Sequence, residues 1–339
     1  MFVNENCFCN NFLDTVSKKC SNGVFIVGNV NKRGFQMNFK EEAQKLGIGD
    51  TPLIPYEEDF DADIYIKNEA MNASGSVKDR AALAMILDAE EKGLLHKGST
   101  IVEATSGNMG ISLAYVGVRR GYRVLLTMPD TMSVERRNLL QGLGAQLVLT
   151  EGKLGMQGAI DLAENLAQKP DAVRLGQFDN KANALAHYLS TGEEIVSQLD
   201  RVDVFVSGVG TSGTLTGTAR RLKETFPDCE IVAVEPASCA TISRNEKGLH
   251  AIQGIGAGFV PSLYDKTLVD KVCLVTDDEA MDMFYTLNKK QGYCCGISSA
   301  ANIAVAVRLA KDPAYKGKNI VTLFPDGDDR YLSLLHKQR

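Results

Sequence analysis

The sequence has no long apolar run and no cluster of basic residues. No apolar stretch approaches the roughly 18 residues that a membrane-spanning helix needs. The first 20 residues also lack the continuous apolar core of a secretory signal peptide. The net charge is -5, so nucleic acid is not an expected partner. These absences favour a cytoplasmic protein that contacts neither a membrane nor a nucleic acid.

Metal-ligand patterns are also scarce. The chain has eight cysteines but only four histidines. Cys7, Cys9 and Cys20 lie close together, yet neither a second CxxC nor a histidine partner accompanies them. In a chain of 339 residues without a secretory signal, the cysteines are expected to be free thiols rather than a disulfide framework. No metal site is expected.

Strand-like and helix-like segments alternate along most of the chain. The predicted strands are residues 64–67, 100–104, 122–127, 146–149, 202–206, 230–234 and 319–324. The predicted helices are residues 110–119, 134–143, 157–167, 192–199, 215–225, 278–290 and 299–311. This alternation predicts an α/β fold of doubly wound, mostly parallel sheets, with ligands at the carboxyl ends of the strands. Residues 1–40 show no strong periodicity and are expected to be an extension of uncertain order.

The run Asn72 to Arg80 contains a lysine in an unusual place. Ser76 and Asp79 have the spacing of a capping box ahead of apolar residues at helical spacing, which places Lys78 in the first helical turn. A cation there opposes the helix dipole, so the pKa of the amine should fall. A neutral amine can form an imine with a carbonyl cofactor. The alternative is a solvated surface lysine.

Two strand-to-helix loops can bind anions. The first is Thr105-Ser106-Gly107-Asn108-Met109-Gly110, whose hydroxyls and amides suit a carboxylate; the alternative is an ordinary capped turn. The second runs from Gly208 to Thr214 and suits a phosphate. It is not a Walker loop, but it matches G-x-G-x-x-G, and Glu235 follows where a ribose-binding acid would lie. A nicotinamide dehydrogenase and a glycine-rich turn without a ligand are therefore alternatives.

Two later glycine-rich segments are weaker signals. Residues 254–259 could pack against a flat ring, because small residues permit close approach. Ser298, in Gly-Ile-Ser-Ser, could donate a hydrogen bond to a heterocyclic nitrogen. Otherwise Ser298 is simply a good N-cap.

Taken in order, these motifs resemble the cysteine synthase and cystathionine β-synthase family of pyridoxal-phosphate (PLP) enzymes of fold type II. The similarity covers residues 49 to 333. Its motifs are Gly-Asp-Thr-Pro-Leu (49–53), Ser-Val-Lys-Asp-Arg (76–80), Thr-Ser-Gly-Asn (105–108), Gln-Phe-Asp-Asn (177–180), Gly-Thr-Ser-Gly-Thr (210–214), Gln-Gly-Ile-Gly-Ala-Gly-Phe (253–259), Gly-Ile-Ser-Ser (296–299) and Arg-Tyr-Leu-Ser (330–333). The resemblance implies a tryptophan synthase β-like fold with PLP in a cleft between two domains, residues 41–180 and 181–339.

The resemblance also implies a role for each matching residue. Lys78 would form the imine with PLP and later move the Cα proton of the substrate. Asn108 would bond the ring hydroxyl, and Ser298 would face the ring nitrogen. The phosphate would lie against Gly210, Thr211, Ser212, Gly213 and Thr214. The substrate would be held by Thr105, Ser106, Gly107, Met109, Gln177 and Gly254.

The reaction that the resemblance implies is β-replacement on an O-activated L-serine. The first expectation is cysteine synthase, which converts O-acetyl-L-serine and sulfide through an aminoacrylate intermediate. A serine beside the ring nitrogen suits such elimination better than transamination. The alternatives act on serine, cysteine or O-phosphoserine and are cystathionine β-synthase-like, sulfide-releasing or diaminopropionate-forming; a non-catalytic homologue is a further alternative. The expected partners are a second copy in a homodimer and serine acetyltransferase.

Four departures from the family pattern stand out. Ala73 follows Asn72 where proline is usual, Ser212 replaces a glycine, and Gly327-Asp328-Asp329 replaces Ser-Gly-Glu. Met109 replaces the second threonine of the carboxylate loop, which removes one hydroxyl and adds a thioether. Met109 therefore leaves the identity of the amino-acid substrate, or of its nucleophile, open.

Overall fold

Two sheets organise residues 32–335, the part of the chain that the computed structural model describes. Their strands in chain order are β1 (Leu53–Pro55), β2 (Asp63–Asn68), β3 (Thr100–Ala104), β4 (Arg123–Pro129), β5 (Gln146–Thr150), β6 (Ala172–Arg174), β7 (Val204–Gly208), β8 (Glu230–Pro236), β9 (Lys271–Val275) and β10 (Asn319–Phe324). The large sheet has the order β1-β2-β10-β7-β8-β9, and the small sheet has the order β5-β4-β3-β6.

Nearly all strand pairs are parallel. Only β1 runs antiparallel to its neighbour β2 among the strands of residues 32–335. In the large sheet, β10 lies between β2 and β7, with Ile320 beside both Ile64 and Val204. Its residues from Ile320 to Phe324 are all buried, as expected for a parallel strand covered on both faces.

Helices cover the faces of both sheets. They are α1 (Lys32–Leu46), α2 (Lys78–Glu91), α3 (Asn108–Arg119), α4 (Val134–Gly142), α5 (Gly155–Leu166), α6 (Lys181–His187), α7 (Glu193–Gln198), α8 (Gly213–Thr225), α9 (Asp277–Tyr285), α10 (Ile297–Ala310) and α11 (Leu332–Leu335). The small sheet packs with α2 and α3 in one core, and α10 and α8 contribute to cores on the two faces of the large sheet. The predicted fold class is thus confirmed.

The first helix was not expected. Residues 32–40 fall within α1, where Phe35, Phe39 and Ala43 recur every four residues and are buried in the core of the small sheet. This spacing is a helical signal, because residues four apart share one face. The strands β1, β6 and β9 and the helices α6 and α11 were also missed, and all five of these elements are at most seven residues long.

The strands do not divide the chain at one point. β1 and β2 come from the N-terminal half but complete the sheet that carries β7 to β10. The domain limits at residues 40 and 180 stay a prediction.

Residues 1–31 and 336–339 lie outside the described residues, and with them Cys7, Cys9 and Cys20. Within residues 32–335 the five cysteines are free thiols, and no group of three or more histidine, cysteine, aspartate or glutamate side chains could hold a metal ion. No helix in this range is long and apolar enough to cross a membrane.

Candidate active site

A cavity of about 270 Å³ lies at the carboxyl ends of the parallel strands. Loops that follow β3, β7 and β10 line it, together with the start of α2. Of the predicted site residues it is lined by Lys78, Thr105, Gly107, Asn108, Met109, Gln177, Gly210, Thr211, Ser212, Thr214, Gly254 and Ser298. Ser106 and Gly213 do not line it. The structure therefore brings into one cleft most of the residues that the sequence places far apart.

Lys78 is the first residue of α2, as expected, but the predicted capping box is wrong. Asp79 accepts hydrogen bonds from the backbone N–H of Ser74 (2.7 Å) and from the hydroxyls of Ser74 and Ser112, not from Ser76. The helix begins after Val77, whose N–H donates to the carbonyl of Pro325 (2.8 Å). The end of β10 therefore holds the start of the lysine helix.

The pKa of the Lys78 amine is lowered, which agrees with the predicted direction. The main cause is burial, and the nearby Asp326 carboxyl opposes it. Burial disfavours the charged amine because the protein solvates the charge less well than water does. The helix dipole, on which the prediction rested, is not needed to explain the shift. Lys78 is a lining residue of the cleft rather than a solvated surface lysine.

The carboxylate loop ends at the N-terminus of α3. Gly107 is the N-cap in extended conformation, and its N–H points to the Thr105 hydroxyl at 3.3 Å. Met109 is buried, with only 2% of its surface exposed, and lines the cavity. Gln177 reaches the same wall from the loop after β6. Hydroxyl, amide and helix N-terminus thus converge where an anionic group would be stabilised.

The second anion loop joins β7 to α8. Ser212 has a left-handed backbone (φ 69°), which turns the chain into the helix. A β-carbon at Gly210 would collide with the carbonyl of Gly254, so this position has room only for glycine. Among the described residues that line the cavity there is no carboxylate, and Lys78 is the one basic side chain. The loop is therefore suited to a phosphate group.

Two side chains of α6 contact and support the second loop, and neither was predicted from the sequence. Asn183 Nδ2 donates to the Thr211 hydroxyl (3.0 Å), and His187 Nε2 lies 3.2 Å from the Thr214 hydroxyl. Burial, together with the charges of nearby cations, holds the pKa of His187 well below its ordinary value, so its ring is neutral. Asn183 and His187 are four residues apart on one helix face, a spacing that would have been visible had α6 been predicted.

Ser298 lies in the first turn of α10 and is buried. The N-cap of that helix is Gly296, so Ser298 does not cap it. Gly254, in a left-handed conformation (φ 98°), lies beside Ser298, and a β-carbon on the glycine would be in ordinary van der Waals contact with Ser298 Oγ at 3.5 Å. Both residues line the cavity.

Glu235, the candidate ribose-binding residue of the dinucleotide hypothesis, is not placed to bind a ribose. Glu235 is buried, and its two carboxylate oxygens accept hydrogen bonds from the backbone N–H groups of Ile242 and Ser243, each at 2.9 Å. It is not among the lining residues of the cavity. The carboxylate stabilises a turn and has no free oxygen directed at a ribose.

Asp326 is a further residue of this region that was not predicted from the sequence. Its Oδ2 accepts hydrogen bonds from Asn108 Nδ2 (2.8 Å) and from the Tyr331 hydroxyl (2.9 Å). Burial raises the pKa of the Asp326 carboxyl, and these two hydrogen bonds partly offset the rise. Its position two residues after the buried strand β10, at the carboxyl edge of the sheet, is the signal that could have identified it.

A buried ion-pair cluster anchors the lysine helix to the rest of the protein. Arg80 of α2 bonds Glu69 (Nε to Oε2, 2.6 Å) and Glu194 of α7 (2.8 Å from Nη2 to Oε2), and Lys67 bonds Glu194 at 2.7 Å. Burial would raise the pKa of Glu194, but the hydrogen bonds and charges of Arg80 and Lys67 lower it to about 2. The cluster fixes α2, and with it Lys78, against α7 and β2.

Taken together, the cleft defines a class of protein: a lysine amine and two loops suited to anions converge between two mostly parallel sheets. These features are typical of an enzyme that acts on amino acids with a phosphate-bearing aldehyde cofactor. Comparison with known proteins identifies the family. The family model described as "Pyridoxal-phosphate dependent enzyme" matches residues 44–326, and the chain belongs to that family. It is a PLP-dependent enzyme of the cysteine synthase fold, as predicted.

Similar proteins are spread over several activities. Cysteine synthase A of Escherichia coli (strain K12) is 47% identical over 303 residues, which cover 86% of this chain and 94% of the relative. The solved cysteine synthase of Entamoeba histolytica is 38% identical, with a TM-score of 0.83 and 95% of each chain covered. A hydrogen sulfide-producing enzyme from Fusobacterium nucleatum is 41% identical, with a TM-score of 0.81, covering 85% of this chain and 96% of its own.

Glu103, near the end of β3, gives a prediction about stability. It is buried, and its Oε2 accepts a hydrogen bond from the N–H of Gly176, which precedes Gln177. Burial raises the pKa of this carboxyl from 4.5 to about 7. The folded state therefore binds the proton more tightly than the unfolded state, and stability falls as the pH rises from 4.5 to about 7.

Glu103→Gln should remove this loss of stability, because glutamine carries no charge and still accepts the Gly176 hydrogen bond. We expect it to raise the free energy of unfolding above about pH 8 by up to ~3 kcal/mol, with little gain near pH ~5. Urea unfolding at the two pH values measures the difference. An equal effect at both values would show that the carboxyl does not titrate in this range.

Proposed function

We propose that this enzyme is a cysteine synthase that converts O-acetyl-L-serine and sulfide into L-cysteine and acetate. In this β-replacement the bond from Cβ to the acetate oxygen breaks and a bond from Cβ to sulfur forms. The observation that carries the proposal is the convergence of Lys78 and the two anion-binding loops on one cavity. The high similarity to cysteine synthases over most of the chain supports the choice of substrate.

The residues present fit PLP. The loop Gly210 to Thr214 would hold the phosphate at the N-terminus of α8, Asn108 would face the ring hydroxyl and Ser298 the ring nitrogen. Lys78 would hold the aldehyde carbon through Nζ. The bound cofactor supplies an electron sink for the charge that develops at Cα. A serine hydroxyl beside the ring nitrogen leaves that nitrogen less positive than a carboxylate would, which favours loss of a β-substituent.

The protein would contribute positioning and proton transfer. Thr105, Gly107 and Gln177 would hold the substrate carboxylate, so that the Cα proton lies near Lys78 Nζ. The lowered pKa of Lys78 favours the neutral amine that accepts this proton. Because the amine is already in place, no entropy is lost in bringing a base to the reacting atom.

A sulfide-releasing enzyme is the second candidate. Met109 lines the cavity where the family pattern has a threonine, so the wall of the substrate loop carries a thioether in place of a hydroxyl. One similar solved structure is described as a hydrogen sulfide-producing enzyme. Such an enzyme would start from L-cysteine instead of O-acetylserine. The same residues would serve both reactions, so the donor amino acid distinguishes them.

The test is product analysis of the PLP-loaded enzyme with one donor at a time. With O-acetylserine and sulfide we expect cysteine and acetate in equal amounts, at a kcat/KM at least about tenfold above that with serine or O-phosphoserine. Sulfide release from cysteine that is faster than cysteine formation would favour the second candidate instead.

We further propose a cytoplasmic homodimer of two-domain subunits that can bind serine acetyltransferase. The resemblance of the motifs to the family supports these assignments. Light scattering after size-exclusion chromatography tests the dimer, since a homodimer would have twice the chain mass of 36.8 kDa. A single species at the chain mass would contradict it.

Asn183 should matter for cofactor affinity. It donates to the Thr211 hydroxyl and to the carbonyl of Gln177 (2.8 Å), so it links the phosphate loop to the substrate loop. Because Thr211 accepts this bond, its own hydrogen is free for a phosphate oxygen. We expect Asn183→Ala to weaken PLP binding by the apoprotein about tenfold, as the loss of one or two hydrogen bonds implies.

Equilibrium titration of the apoprotein with PLP measures this affinity. The matched control is Asn180→Ala, which removes the N-cap of the same helix without touching the phosphate loop. It should lower stability and leave PLP affinity within about twofold. Equal losses of affinity in both variants would show that Asn183 acts only through the stability of α6.

A further inference from the structure

Asp326 lies where the two helices that carry Lys78 and Ser298 begin. It follows β10, the strand between β2 and β7 in the large sheet, and only 1% of its surface is exposed. Its backbone carbonyl accepts a hydrogen bond from the N–H of Gly296 (3.0 Å), the N-cap of α10, and Asp326 forms an isolated bridge with Ser76. The backbone around Asp326 thus fixes the geometry of one wall of the cleft.

The side chain of Asp326 takes no part in these backbone contacts. Oδ2 accepts from Asn108 and Tyr331, whereas Oδ1 has no hydrogen-bond partner among the described residues. A β-carbon at Gly296 would collide with Oδ1, so glycine at that position makes room for the carboxyl. A buried oxygen without a partner costs stability. Stability therefore does not explain why a carboxyl occupies this position.

The charges around Asp326 are mixed. Lys78 interacts with it electrostatically, and Arg330 favours its ionised form, whereas Asp329 disfavours it. The hydroxyl of Tyr331 donates to it and the thiol of Cys295 interacts with it electrostatically, and burial raises the pKa of both groups, so both are neutral. The carboxyl thus accepts a hydrogen bond from a neutral hydroxyl and also interacts electrostatically with the amine of Lys78.

The hydrogen bond from Asn108 to Asp326 selects one of the two orientations that the Asn108 amide can adopt. An asparagine amide is nearly symmetric in shape, and a half-turn exchanges its oxygen and its NH2 group. Because Oδ2 of Asp326 accepts, it fixes the NH2 end of Asn108 on its side. One N–H of Nδ2 is then bonded to Asp326, and the second is available to the cavity that Asn108 lines.

We propose that Asp326 is a positioning residue, which holds the Asn108 amide so that an N–H is presented to the ring hydroxyl of PLP. The inference rests on the proposed function for the identity of the reaction but not for its test. A PLP ring oxygen that receives this hydrogen bond is stabilised in its ionised form, which changes the visible absorbance of the bound cofactor. The absorbance is recorded without any substrate.

The experiment compares three variants loaded with PLP. Asp326→Ala removes the acceptor and should shift the absorbance maximum of the bound cofactor and lower kcat about tenfold or more. Asp326→Asn keeps the size of the side chain and one acceptor oxygen, so its absorbance should equal that of the unsubstituted protein. Tyr331→Phe removes the other donor to the same oxygen and should leave the absorbance unchanged.

Two results would overturn the proposal. One is an unchanged absorbance in Asp326→Ala that has bound PLP; the other is a shift of equal size in Tyr331→Phe, which would assign the effect to packing. If Asp326→Ala does not fold, Asp326→Leu takes its place, because it keeps the approximate size of the side chain and has no acceptor oxygen: it should shift the absorbance, whereas Asp326→Asn should keep it. Failure of the proposed cysteine synthesis would leave these substrate-free readings intact.

Discussion

Lys78→Ala should lower kcat for cysteine formation by at least about a thousandfold, the largest effect expected of any substitution in this chain. General-base catalysis by a positioned group accounts for about 10²–10⁴ in rate, and Lys78 would also hold the cofactor covalently. The variant should still fold, because the Lys78 side chain lies in the cavity and takes no part in the buried ion-pair cluster. Retention of more than about a tenth of the activity would exclude Lys78 as the base.

A second buried lysine provides the control for covalent attachment. Lys67 also has its pKa lowered by burial, but its Nζ is bonded to Glu194 and to the carbonyl of Thr51 (2.6 Å). Borohydride reduction of the PLP-loaded protein, followed by peptide mass spectrometry, should place the pyridoxyl group on Lys78 and not on Lys67. A label on Lys67, or one distributed over surface lysines, would contradict the assignment.

Arg80→Met should have the largest effect on stability. Arg80 is fully buried, and its removal would leave the carboxylate of Glu69 without its cationic partner inside the protein. Breaking a buried ion pair by removing one partner costs about 3–5 kcal/mol. We expect a loss of this size in urea unfolding, with weaker PLP binding as a consequence, since α2 would lose its anchor to α7.

Arg120→Met is the matched control. Arg120 also pairs with two glutamates, Glu42 and Glu90, but its side chain is 19% exposed and water can solvate the partners that remain. The expected cost is about 1 kcal/mol, as for pairs near the surface. Similar losses in Arg80→Met and Arg120→Met would show that burial does not set the cost of the cluster.

The residues that touch the cavity were largely predictable, because each belongs to a short local motif. Lys78 at the start of a helix, Thr105 to Met109 between strand and helix, and Gly210 to Thr214 after a buried strand are recognisable without knowledge of tertiary contacts. The carboxyl ends of parallel strands then bring the motifs together. Their roles in binding and catalysis stay predictions that the proposed variants test.

The supporting residues could not be found in this way. Asn183 and His187 contact the loop from Gly208 to Thr214 only because α6 packs against it, and Asp326 reaches Asn108 across more than two hundred positions of sequence. The predicted capping box was wrong for the same reason, because Asp79 bonds Ser112 of α3 instead of Ser76. Asp79 therefore bonds a residue that is distant in sequence in preference to the local Ser76.

The most direct test of the central claim is a visible-absorbance titration of the PLP-loaded protein with O-acetylserine, serine, O-phosphoserine and cysteine, one at a time. We predict that O-acetylserine changes the absorbance of the bound cofactor at the lowest concentration, and that added sulfide reverses the change while cysteine accumulates. If O-acetylserine leaves the absorbance unchanged and cysteine or serine alters it, the assignment as a cysteine synthase is contradicted.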